Sequence, residues 1–178
     1  SRIDELLKEI RKVTEKTRRD VERLLEEIRK VTDKSRKDSE RSLDEARKVL
    51  DTIRKLLEDG KPKEKLLKEL RDLLRRIEER NERILRENKR IVDEIKKEAE
   101  KLLKRNKEIV DEVAERAARD GVGEALERIK RSSEELAEEV KRVLDEVRRS
   151  SEELEKRARD SLRELRELVK RVEEEARK

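Results

Sequence analysis

Residues 66–119 read LLKELRDLLRRIEERNER (66–83), ILRENKRIVDEIKKEAEK (84–101) and LLKRNKEIVDEVAERAAR (102–119). These are three consecutive blocks of 18 residues, each opening on an apolar pair and keeping the same apolar slots. At ~3.6 residues per turn, 18 residues close five whole turns, so the pattern returns to one face of a straight helix. A strict seven-residue repeat would impose a left-handed supercoil instead. The apolar slots are block positions 1, 2, 5, 8, 9, 12 and 16. At ~100° per residue they cover an arc of about 120°, the share of its circumference that a helix buries in a three-helix bundle. Lys, Arg, Glu and Asp fill nearly all of the remainder.

The flanking segments repeat this construction. LLKEIRKVTEKTRRDVER starts at Leu6, LLEEIRKVTDKSRKDSER at Leu24 and SLDEARKVLDTIRKLLED at Ser42. The third segment holds ALERIKRSSEELAEEVKR from Ala125, VLDEVRRSSEELEKRARD from Val143 and SLRELRELVKRVEEEARK from Ser161. Between segments lie Asp59-Gly60 followed by Pro62, and Asp120-Gly121-Val122-Gly123. Glycine takes the left-handed conformation that ends a helix, and proline suits a helix's first turn, where its missing N–H is not needed. Ser1 is a candidate N-cap, with Asp4 and Glu5 in the favourable first turn. The expected fold is therefore all-α: an up-down-up three-helix bundle in one domain, 1–178, with helices at about 2–59, 62–120 and 124–177. Loops this short make successive helices antiparallel. Each helix would be ~80–87 Å long. Exposed i,i+4 acid-to-base pairs such as Glu26–Lys30, Asp33–Lys37 and Asp93–Lys97 are each worth only ~0.2–0.5 kcal/mol.

Composition excludes more functions than it suggests. Charged residues make up 58% of the 178 and hydrophobic residues 31%, with no Phe, Trp, Tyr, Met, Cys or His. So low an apolar fraction could mean disorder. The strict apolar period and the abundance of Leu, Glu, Lys and Arg argue for helix instead. The net charge of +5 comes from 54 basic and 49 acidic residues interspersed throughout, so no basic patch emerges for nucleic acid. No run approaches the ~20 apolar residues of a membrane span, no targeting signal is visible, and localisation stays open. Without cysteine there is no disulfide framework.

Polar residues inside the apolar stripe are the unusual feature. They are Thr14, Thr17, Thr32, Ser35, Ser39 and Ser42 in the first helix, and Asn81, Asn88 and Asn106 in the second. The third helix has Ser132, Ser133, Ser150, Ser151 and Ser161. Antiparallel pairing across the first loop matches residues whose numbers total about 123, as for Thr17 with Asn106, Ser35 with Asn88 and Ser42 with Asn81. The first and third helices run parallel, offset by about 119, as for Thr14 with Ser133, Thr32 with Ser151 and Ser42 with Ser161. Polar slots thus meet polar slots at three heights. Asn106 is expected to meet Thr14, Thr17, Ser132 and Ser133; Asn88 to meet Thr32, Ser35, Ser150 and Ser151; and Asn81 to meet Ser39, Ser42 and Ser161.

Three readings compete for these residues. A serine nucleophile needs His or an activated Lys beside it, and the stripe holds neither. Paired carboxylates for acid–base work would have to face a pocket, but these face solvent. Metal sites want His, Cys or inward Asp and Glu, so neither a catalytic site nor a metal or cofactor site is expected. Loosely hydrated hydroxyls, or hydroxyls returned to their own i−4 carbonyls, are the bland alternative. The reading adopted is buried hydrogen-bond networks that penalise shifted registers, because a slip strands polar groups against Leu.

The 18-residue blocks, near-copies such as KRSSEEL and RRSSEEL, the Asp-Gly loops and the aromatic-free Leu/Ile/Val core resemble a de novo designed helical bundle. The match is to the parametric, straight-helix kind with inserted hydrogen-bond networks. Natural spectrin-like repeats are also long three-helix bundles, but they usually carry core aromatics. The resemblance implies a structural scaffold rather than an enzyme, and a start at Ser1 without Met fits a cleaved expression tag. A rod-like monomer needing no partner is expected. The rival is an interaction module that homo-oligomerises or accepts a partner helix, which would need wider apolar arcs. Only Leu56, Ala114, Ala118 and Ala137 extend the stripe.

Overall fold

A computed structural model describes residues 2–119, 121 and 123–178, apart from the side chains of Arg2, Ile3 and Ala125. The proposed cap Ser1 and the loop positions Asp120 and Val122 lie outside the described residues. Three helices account for nearly all of the rest: α1 (Arg2–Glu58), α2 (Lys63–Ala118) and α3 (Gly123–Arg177). The chain is a three-helix bundle. The helix limits differ from the sequence expectation by one or two residues, the range over which helix ends fray.

The end of α1 shows how the loop sequence acts. Gly60 has φ of +78°. With that residue left-handed, Gly60 N donates to Leu57 O (3.2 Å) and Lys61 N to Leu56 O (3.1 Å). This pair of bonds is the Schellman arrangement, which satisfies carbonyls the helix leaves open. Pro62 then stands one residue before α2, and its carbonyl accepts the first helical bond from Leu66 N at 3.4 Å. Gly121 repeats the left-handed turn with φ of +81°.

Contacts divide the chain into two compact units, to which every helix contributes. The first comprises residues 1–30 and 91–149. Its larger apolar cluster joins Val21, Leu25 and Ile28 of α1 to Val92, Ile95 and Ala99 of α2 and to Leu136, Val140 and Val147 of α3. A smaller cluster joins Ile10, Val110 and Ile129. The second unit comprises residues 31–90 and 150–178. Its cluster runs from Leu43 to Ile53 on α1, Leu66 to Ile77 on α2 and Leu162 to Val172 on α3. Within this unit Arg71 pairs with Glu173 (3.1 Å) and Arg166 with Glu78 (2.5 Å). Seven residues forward on α2 are therefore seven backward on α3, an antiparallel pair.

Candidate functional site

The asparagines come from the one helix that carries no Ser or Thr in its stripe, and all three turn inward. Asn81 is 0% exposed, Asn88 3% and Asn106 2%. Asn88 and Asn106 share the slot that Leu70 fills in the first block, and Asn81 the slot of Ala99 and Ala117, so helical period alone aims each at the core. Facing them, Thr14, Thr17, Ser35, Ser39, Ser42 and Ser133 are buried. Thr32, Ser132, Ser151 and Ser161 are half-buried.

Ser150 departs from the expectation: it is exposed. One 18-residue block away at the same angle are Ser132 and Leu168, both only half-buried. The slot lies at the edge of the stripe.

The three heights differ in their bonding. In the first unit Asn106 Nδ2 donates to Ser133 Oγ at 3.0 Å, joining α2 to α3. The Thr17 hydroxyl lies 3.5 Å from Asn106 Oδ1 but only 2.9 Å from Val13 O. One proton cannot serve both acceptors, and 3.5 Å is long for O–H···O, so the return to the i−4 carbonyl wins. Thr14 Oγ1 is buried without a partner. In the second unit Ser39 Oγ donates to Asn81 Oδ1 at 3.0 Å, joining α1 to α2, although Ser42 has the closer sequence register. Asn81 Nδ2 and Ser42 Oγ have no partner. At the Asn88 level no cross-helix bond forms among the described residues, contrary to expectation. Thr32 Oγ1, Asn88 Oδ1 and Ser151 Oγ are all buried and unpartnered. The register brings polar residues to one height, but short hydroxyl side chains reach only part of the distance between helices.

Outside the stripe the chemistry is that of a solvated surface. Among the described residues no group of three or more His, Cys, Asp or Glu is arranged to hold a metal ion. No helix among them is long and apolar enough to cross a membrane. A groove of about 450 Å³ between α2 and α3 is lined by Asn81, Leu85, Leu162 and the guanidiniums of Arg86, Arg159, Arg163 and Arg166. Carboxylates balance that charge: Arg159 pairs with Glu155, Arg166 with Glu78, and Glu82 shares the lining. Asp33 and Glu87 are held below the usual carboxylate range, chiefly by hydrogen bonds from Arg36 and Arg90 respectively. Of the three i,i+4 pairs named above, Asp33–Lys37 closes at 3.1 Å, and the other two do not form among the described residues.

Sequence reading missed the ion pairs between helices. Arg18 reaches Glu139 (3.4 Å) in the first unit, and Arg80 reaches Glu45 (3.4 Å) in the second. The register that aligned the polar slots also aligns these opposite charges and could have located them. Exposed pairs of this kind contribute little to stability.

No protein-family model matches the chain, and no curated protein does. A solved structure described as a computationally designed three helix bundle matches with a TM-score of 0.61 at 24% identity, covering 98% of this chain and 84% of that one. At that identity the likeness speaks for the fold, and this chain has the fold of a computationally designed three-helix bundle.

Proposed function

We propose that this chain is a designed structural scaffold, without enzymatic activity, whose buried Ser, Thr and Asn layers set helix register. One observation carries the reading. Asn106 and Asn81, nearly inaccessible to solvent, spend their amides on hydroxyls of neighbouring helices, while carboxylates and ammonium groups stay outside the core. A buried amide costs ~1–3 kcal/mol when a slip leaves it unpaired, so the layers discriminate between registers that apolar slots alone tolerate. A monomer is the favoured state, because Val49 is the sole exposed large hydrophobic among the described residues and supplies no face for a second copy or a partner helix.

The test uses nitroxide labels at Lys34→Cys and Lys156→Cys, with pulsed electron–electron distance measurement. The unmodified core should give one narrow distance. Replacing Asn81, Asn88 and Asn106 together by Leu should broaden it, because a slip of three or four residues displaces a label by ~5 Å. An equally narrow, unshifted distance in the triple-Leu chain would mean that loops and apolar packing alone hold the register. Sedimentation tests the monomer: 21.4 kDa is expected, and a concentration-independent dimer would favour the interaction module.

A further inference from the structure

In the second unit each helix presents one unpartnered buried oxygen at the Asn88 level: Thr32 Oγ1 from α1, Asn88 Oδ1 from α2 and Ser151 Oγ from α3. Asn88 itself is 3% exposed. The three are chemically complementary to one small molecule. The amide oxygen only accepts, whereas each hydroxyl can donate or accept. The unit's apolar cluster begins only at Leu43, Ile77 and Leu162, and the inward neighbours at this level include the short Ser35 and Ser39 of α1 beside Leu154 of α3. Polar surroundings, room and two to four hydrogen-bonding partners are what an internal water requires.

We propose that the Asn88 level is a binding site for an internal water molecule bridging all three helices. The water donates to Asn88 Oδ1 and to one hydroxyl and accepts from the other, three bonds in all, as is usual for buried water. The inference rests on the scaffold reading in one respect: the water completes a layer that side chains alone leave open. It also explains how this level remains polar while making no direct cross-helix bond.

The full chain tests it by oxygen-17 relaxation dispersion, which counts long-lived internal waters, combined with water-to-methyl cross-relaxation at Thr32. The unmodified chain should show cross-relaxation from water to the Thr32 methyl. The Thr32→Val, Asn88→Leu, Ser151→Ala chain should lose about one long-lived water, and Ser151→Ala alone should shorten that water's residence. Absent cross-relaxation in the unmodified chain, or an unchanged water count in the triple variant, overturns the proposal. A narrow label distance without a bridging water sinks this inference alone, and a broadened distance in the unmodified chain sinks the register reading.

Discussion

Asn106→Ala removes the best cross-helix bond in the first unit, and its cost can be worked out from the geometry. The Asn106 Nδ2 to Ser133 Oγ bond, 3.0 Å and buried, is worth about 0.5–1.5 kcal/mol net. Truncation removes three heavy atoms, as Leu→Ala does, but the flat amide fills less volume than a branched leucine end, so the cavity costs about 1 kcal/mol rather than the ~2–5 kcal/mol of Leu→Ala. Alanine's better helix propensity returns roughly 0.5 kcal/mol. The Thr17 hydroxyl loses little, because it already donates to Val13 O at 2.9 Å. The net loss is about 1–2 kcal/mol, a fall of roughly 2–8 °C in Tm for a chain of this size. Asn106→Leu refills the volume with apolar surface and should lie within about 1 kcal/mol of the unmodified chain. Asn88→Leu should also lie within about 1 kcal/mol of the unmodified chain, since Asn88 Oδ1 makes no bond to another side chain. Urea and thermal unfolding followed by circular dichroism measure all three. An alanine variant as stable as the unmodified chain, or a leucine variant weaker than the alanine one, would refute the reasoning.

Other perturbations probe the rest of the fold. Leu70, 0% exposed within the second unit's core, should lose about 2–5 kcal/mol on Leu70→Ala, read from the urea midpoint. Gly60→Ala should cost about 1–2 kcal/mol by the same assay: nothing lies within 4 Å of an added Cβ, but φ is +78°, which L-residues adopt only at that expense. The pH profile follows from the depressed carboxylates Asp33 and Glu87. A folded pKa below the unfolded one gives stability that is present above about pH 4 and lost as pH falls through the folded value. Both groups are exposed, and the chain has no His, so thermal scans should be flat from about pH 5 to 9 and decline only in acid.

The repeat of 18 made the helices and their buried faces legible, because period is a property of spacing alone. Gly60 and Pro62 marked the first turn for an equally local reason: each acts through its own backbone. Inward placement of Asn81, Asn88 and Asn106 also followed from slot position. Which atoms then bond did not. Thr17 chooses its own helix's carbonyl over Asn106, a competition decided by tenths of an ångström. Ser39 rather than Ser42 donates to Asn81, although both are buried and Ser42 has the closer register. Ser150 sits at a stripe edge, where burial is partial and a two-letter apolar–polar pattern does not separate it from half-buried Ser132.

A crystal structure of the unmodified chain tests the claim of matched polar layers most directly. The account predicts Asn81, Asn88 and Asn106 all turned inward at the heights of their facing hydroxyls. Asn106 should lie within hydrogen-bond distance of Ser133, and Asn81 within that distance of Ser39. Asparagines turned to solvent, or set against Leu and Ile at those heights, would contradict it.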